Sequence, residues 1–256
     1  MIEYNKKNPL RVFESFGGYG SQSLAFKRLK EKFPEFDYKV VGYSDIEESA
    51  ITAYMALHKD EGVINYGDIS LIDWSKVPDF DFFTYSPPCT DISAAGLQKG
   101  LKKGSGTRSA LIWECERAIA AKKPKFLLME NVKALTQTKF KADFEAWLAI
   151  LEDLGYRNFY QVLDSSDFGV PQHRERVFCV SILKEGDTLP NYEFPLPFPL
   201  ERCLADVLDE KVDEKYFLSD EMLVRFCEKS LEESENNGMP LLPNGDEGLE
   251  NFVLSQ

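Results

Sequence analysis

The stretch Asp81-Phe82-Phe83-Thr84-Tyr85-Ser86-Pro87-Pro88-Cys89-Thr90-Asp91-Ile92-Ser93 constrains this chain more than any other. Its apolar opening reads as a buried strand. Two prolines then stop it, because proline has no N–H to give to a sheet ladder. The next residue is a cysteine, so Cys89 is presented at the strand's carboxyl end. In an open α/β sheet that edge is where ligands bind and chemistry is done. Cys89 also has a plainer reading, a small buried hydrophobe with an inert thiol. The rest of the chain decides between the two.

Other strand ends carry polar groups of the kind a ligand site needs. Leu10–Phe16 is β-rich and runs into Gly17-Gly18-Tyr19-Gly20, followed by a helical pattern around Leu24–Lys30. Strand, glycine turn and helix make the first unit of a nucleotide-binding sheet, with the helix N-terminus facing the ligand. A second strand, Tyr38–Ser44, ends at Asp45, which is placed either to accept from ribose hydroxyls or to cap the helix expected over 47–57. Asn65–Ile69 reads as a third strand-end. Asp68 and Ile69 there suit either a purine grip or a capped turn. The Cys89 stretch is the fourth strand.

Beyond it, 94–106 is rich in Gly, Lys and small residues and reads as a mobile active-site loop. A helix is expected from Thr107 to about Ala121. Pro124–Met129 is a fifth, all-apolar strand, ending in Glu130-Asn131-Val132. Glu130 is thus a second candidate catalytic group at the same edge as Cys89. An amphipathic helix over Phe140–Leu154 closes at Gly155. Tyr160–Leu163 opens a strand, a turn follows at 167–172, and another strand covers Val177–Ile182. Arg174 and Arg176, two apart on that strand, would point the same way.

Charge divides the chain in two. Residues 1–184 hold 25 Lys+Arg and 25 Asp+Glu, net zero, whereas 185–256 hold 5 basic and 18 acidic, net −13. The first part has no charge barrier against a polyanion. The second is ill suited to embrace nucleic-acid phosphates unaided, and a solvated acidic surface is its plainer reading. The proline-laced Asn191–Pro199 marks a boundary, with a helix-prone stretch over 200–233 after it. Two domains are therefore expected, 1–184 and 185–256. The five cysteines are scattered with no CxxC pair, which argues against a disulfide framework or zinc site and for a reducing compartment. No metal is expected. The N-terminal residues do not form a secretory signal and no apolar run is long enough to span a bilayer, so a cytoplasmic location is expected.

Taken together, residues 10–220 resemble the catalytic region of the DNA cytosine-5 methyltransferase family. The ordered set carries the resemblance: Phe16-x-Gly18-x-Gly20, Asp45, Gly67-Asp68-Ile69, Pro88-Cys89 with Ser93 and Gly96, Arg108 with Leu111, Glu130-Asn131-Val132, and Gln172-x-Arg174-x-Arg176. The resemblance implies a Rossmann-like S-adenosylmethionine-dependent methyltransferase fold, α/β, with a mostly parallel central sheet and helices on both faces. It implies Cys89 as the nucleophile at C6 of a flipped-out cytosine, Glu130 on N3 and the 4-amino group, Arg176 on O2 and Arg174 as an anchor of that edge. It implies a cofactor site from Phe16, Gly18, Tyr19, Gly20, Asp45, Ile46, Asp68, Ile69, Pro88 and Leu111, and a restriction-modification role in a bacterial or phage-like setting.

The chain departs from the family at Thr90 and Ile92, where Gln and Phe are usual. The family's target-recognition region and closing motifs are not found after the arginine strand, so residues 185–256 read as the start of a truncated recognition region. Three readings follow: an active DNA methyltransferase; one half of a split enzyme, or a non-catalytic relative, needing a partner chain; and a tRNA cytosine methyltransferase. A Rossmann dehydrogenase is the generic alternative for a glycine turn with an acid, but it gives Cys89, Glu130 and Arg176 no reason to share one edge.

Overall fold

The computed structural model describes residues 4–59, 62–93, 99–186, 188–225 and 227. The chain divides into two compact units, Met1–Cys203 and Leu204–Gln256. In the first, described residues form β1 (Leu10–Ser15), α1 (Ser21–Lys32), β2 (Tyr38–Ser44), α2 (Glu48–Leu57), β3 (Phe82–Tyr85), α3 (Ile112–Lys122), β4 (Phe126–Val132), α4 (Lys141–Asp153), β5 (Tyr156–Asp164) and β6 (Glu175–Leu183). The strands make one sheet in the order β2-β1-β3-β4-β6-β5. The first four run parallel, and β6 is antiparallel to both β4 and β5. The parallel strands are joined by crossovers that carry helices, as parallel pairing requires.

Side-chain alternation along the strands sorts the core onto two faces. Phe13, Phe83 and Leu127 are register partners and pack with Ile112, Cys115 and Ile119 of α3 and Phe144, Trp147 and Leu151 of α4. Their neighbours Val12, Phe82 and Phe126 form a smaller cluster with Val40 and with Phe26 of α1. Helices therefore cover both faces. Trp147 is fully buried and donates to the Tyr85 hydroxyl at 3.3 Å. Truncating a side chain this size in a close-packed core costs roughly 3–5 kcal/mol.

Several expected boundaries shift. Asn65–Ile69 is not a strand: a single parallel bridge joins Asn65 to Tyr43, and a short 3-10 turn begins at Ile69. Asn65 is instead turned to side-chain bonding, giving its amide to the Asp45 carbonyl and accepting from Gly67 N–H. Glu130, Asn131 and Val132 lie within β4 because β6 pairs alongside them. Arg174 precedes β6, so only Arg176 is on the strand. The segment after β6 stays with the first unit: Arg157 donates to the Pro190 carbonyl at 2.7 Å, and Phe198 N–H to the Asp167 carbonyl at 3.0 Å. In the second unit the helix-prone stretch over 200–233 is α-helical, among the described residues, only from Asp220 on. Short turns at Leu204–Val207 and Glu214–Tyr216 precede a helical turn starting at Asp220. Leu208, Phe217 and Met222 are exposed there, and a helix with no buried face is marginal in water.

Candidate active site

The glycine turn follows directly from β1. Phe16, Gly18 and Gly20 all have positive φ, at 55°, 56° and 79°. A Cβ on Gly20 would run into His58 Nε2 and come within 2.8 Å of the Tyr54 ring, so glycine is required there on steric as well as conformational grounds. A Cβ on Gly18 would meet nothing within 4 Å. The backbone edge at Gly18 is therefore open, a cradle that a side chain would fill. Asp45, at the end of β2, accepts Gly18 N–H on Oδ2 at 2.8 Å and Glu47 N–H on Oδ1 at 2.9 Å. It pins the turn and begins α2 with one carboxylate.

Beneath the turn lies a residue that the sequence analysis passed over. Glu14 is fully buried in β1. Its carboxylate accepts Ser23 N–H at 3.0 Å, the Ser23 hydroxyl at 2.6 Å and the Tyr54 hydroxyl at 2.8 Å. Burial pushes its pKa above the ordinary carboxylate value, against the pull of those three donors. Glu14 thereby ties β1 to the first turn of α1 and to α2. An acid directly after Val12 and Phe13 in a β-rich run was the available signal, since a buried charge needs partners.

A cleft of about 530 Å³ opens beside the turn. Its walls include Phe16, Gly18, Tyr19, Glu130, Arg174 and Arg176. The structure thus brings together two sets that lie more than a hundred residues apart in sequence. Arg176 Nε lies 3.2 Å from Glu130 Oε1. Gly20, Asp45, Ile46, Asp68, Ile69, Pro88, Cys89 and Leu111 are not part of that wall. Asp68 accepts from Ser70 N–H and hydroxyl and so caps the 3-10 turn. Ile69 is buried in the main core, while Ile46 is exposed. Leu111 packs at the edge of the same core.

Cys89 is half-buried against the main core. Its loop leaves the sheet after Tyr85, and Ser86 lines the cleft. Asn131 Nδ2 donates to the Pro87 carbonyl at 3.1 Å, and Ser109 Oγ to the Pro88 carbonyl at 2.7 Å. Asn131 neighbours Glu130 on β4, so one strand end supplies both a wall of the cleft and an anchor for the cysteine loop. Part of the 94–106 loop, residues 94–98, lies outside the described residues; Gly96 of the motif set is among them.

Asp164, also missed from sequence, organises the far wall. It accepts Ser166 N–H at 2.9 Å, the Ser166 hydroxyl at 2.9 Å and Arg174 N–H at 3.2 Å, with His173 Nδ1 at 3.4 Å. The Ser166 N–H above all, then the Ser166 hydroxyl, Arg174 N–H and His173, hold its pKa down to about 2. By gripping Arg174's backbone it explains why Arg174, though outside β6, still faces the cleft with Arg176. The visible signal was an Asx residue opening a turn. Among the described residues no cluster of His, Cys, Asp and Glu could hold a metal ion, and no helix is long and apolar enough to cross a membrane.

The model of the family described as C-5 cytosine-specific DNA methylase matches residues 10–244. Type II methyltransferase M2.ScrFI of Lactococcus lactis subsp. cremoris is 41% identical over 260 residues, covering 82% of this chain and 70% of that protein. Orphan methyltransferase M.SssI of Spiroplasma monobiae is 34% identical, covering 81% of this chain and 68% of its own length. Among solved structures, the Entamoeba histolytica methyltransferase EhMeth superposes with a TM-score of 0.66 at 21% identity, over 84% of this chain and 64% of that one. That last likeness speaks to the fold alone. The chain spans about two thirds of the length of these relatives.

Proposed function

The chain belongs to the C-5 cytosine-specific DNA methylase family, and from that premise we propose that its first compact unit carries the catalytic groups for S-adenosylmethionine-dependent methylation of cytosine C5 in DNA. The observation that carries the reading is the shared cleft: the glycine turn forms one wall, and the Glu130–Arg176 pair another.

The residues present fit the methyl donor. The open backbone edge at Gly18 leaves a cradle for a ligand, and the first turn of α1 contributes Ser21 and Gln22 to the same wall. Phe16, Gly18, Tyr19 and Gly20 would hold the methionine end, Asp45 the ribose, and Ile46 and Ile69 the two faces of the adenine with Asp68 on its amine, while Pro88 and Leu111 would line the pocket. S-adenosylmethionine, when bound, supplies an electrophilic methyl group.

The chain's own residues prepare cytosine to accept it. The Cys89 thiolate forms a bond to C6 of a base turned out of the duplex, and the C5–C6 π electrons become available at C5. Glu130 holds N3 and the 4-amino group and shares a proton with N3 as charge builds on the ring. Arg176, paired with Glu130 on the same wall, neutralises it and reaches O2. Arg174 anchors the same edge. Once C5 carries the methyl group, loss of its proton to solvent and expulsion of the thiolate from C6 restore the aromatic ring.

The test uses the full 256-residue chain, S-adenosylmethionine and DNA carrying 5-fluorocytosine, which blocks the last proton loss. A covalent adduct mapped to Cys89 supports the reading. Binding of S-adenosylmethionine without any adduct would confine the chain to cofactor binding, with catalysis dependent on a partner chain. Transfer to tRNA but not to DNA would move the substrate to the RNA branch.

A further inference from the structure

Cys89 follows two prolines, and neither proline has an N–H. The backbone leading into the cysteine can therefore be anchored only through carbonyls. Both carbonyls are taken by side chains: Pro87's by Asn131 and Pro88's by Ser109. Ser109 does more than donate. Its Oγ accepts Asp91 N–H at 3.2 Å, and its own N–H donates to Asp91 Oδ2 at 3.2 Å. Ser109 is 3% exposed and Asp91 8%. The result is a reciprocal clasp between the residue two beyond Cys89 and the turn that opens at Arg108. On the far side, Ile92 and Ser93 N–H donate to the Cys89 carbonyl.

The Ser109 hydroxyl is committed in both directions, one donor to Pro88 and one acceptor to Asp91. It sees the backbone immediately before and shortly after the cysteine. Loss of this hydroxyl leaves the part-buried Pro88 carbonyl and the buried Asp91 N–H without their partner. Of the two carbonyl anchors before the cysteine, only the one from Asn131 then remains, and the loop that carries the thiol is held less firmly.

Resting on the reading of Cys89 as nucleophile, we propose that Ser109, together with Asp91, is a positioning residue that sets the Cys89 thiol for attack on the base. Neither side chain belongs to the wall of the cleft, so both act through the cysteine loop. A misplacement of ~1 Å in a reacting group costs roughly a hundredfold in rate, which is the scale of effect the clasp controls.

The experiment compares the wild-type chain with Ser109→Ala, Asp91→Ala and Asp91→Asn. It reads the rate of adduct formation on 5-fluorocytosine DNA at saturating DNA, alongside S-adenosylmethionine affinity by calorimetry and the melting temperature. Ser109→Ala and Asp91→Ala are expected to slow the adduct by roughly ten- to a hundredfold at unchanged cofactor affinity and DNA concentration dependence. Asp91→Asn keeps an oxygen for Ser109 N–H and is expected to restore most of the rate. Adduct formation by Ser109→Ala at the wild-type rate would overturn the clasp while leaving the nucleophile in place. A parallel loss of cofactor binding would assign Ser109 a merely structural role and overturn it too. No adduct in the wild-type chain would confine it to cofactor binding, and this inference would fall with catalysis by the chain alone.

Discussion

Arg176 Nε sits 3.2 Å from Glu130 Oε1, across the antiparallel pairing of β4 and β6, with the two side chains 22% and 25% exposed. The pair faces the cleft that the glycine turn also lines. A carboxylate there can share a proton with a base, while its guanidinium partner steadies the charge it carries between events. Glu130→Gln is expected to lower methyl transfer roughly 10²- to 10⁴-fold, the range of a lost general acid–base. Cofactor affinity measured by calorimetry should hardly move. A matching loss of cofactor affinity would make Glu130 a structural residue.

Cys89→Ser is expected to abolish methyl transfer and the covalent adduct together. The serine hydroxyl keeps the loop's shape but is a far weaker nucleophile near neutral pH. Turnover by that variant at the wild-type rate in a tritium-transfer assay would eliminate the covalent route.

Asp45 accepts Gly18 N–H at 2.8 Å. Asp45→Ala therefore loosens the glycine turn as well as removing a ribose acceptor. A charge-assisted hydrogen bond contributes about 1.5–3 kcal/mol, so S-adenosylmethionine should bind roughly 10- to 100-fold more weakly in a calorimetric titration. An unchanged dissociation constant would detach Asp45 from the cofactor site.

Gly20→Ala is expected to destabilise the fold. The position has φ 79° and its missing Cβ is replaced by the Tyr54 ring and His58. A left-handed backbone costs an L-residue about 1–2 kcal/mol, and overpacking adds typically 1–3 kcal/mol. Urea denaturation should show a loss of at least ~2 kcal/mol, and a wild-type midpoint would contradict the packing at this turn.

The pH dependence of stability has a definite sign at Asp164. Its native pKa is held at about 2, below the ordinary aspartate value near 3.9. The unfolded chain therefore binds the proton first as pH falls. Asp164's contribution is present above about pH 4 and is lost on descent toward about pH 2. Asp164→Asn should flatten part of the acid limb of a stability–pH curve and leave the curve above about pH 5 nearly parallel to wild type. An unchanged acid limb would mean that the carboxylate's four partners are not formed in solution.

The chain's own order of residues determined the elements. β2 runs from Tyr38 to Ser44 as the apolar pattern indicates, β1 and β3 stop where glycine and proline chemistry says they must, and Cys89 follows a strand end. These features are legible because periodicity, turn chemistry and missing N–H groups act within a few residues. They extend to the ordered motifs that hold Cys89, Glu130, Arg174 and Arg176, of which the cleft brings together Glu130, Arg174 and Arg176. Tertiary structure alone decided what each polar group bonds to. Asn65–Ile69 reads as a strand, yet only Asn65 finds a β partner. Asp45 is bound to Gly18, 27 residues away; Glu14 to Tyr54, 40 away; and Ser109 to Pro88, 21 away. A lone acid or serine in a sequence carries no mark of such a partner. The partner is chosen by which elements pack together, and by the cost of leaving a buried donor or acceptor unpaired once they do.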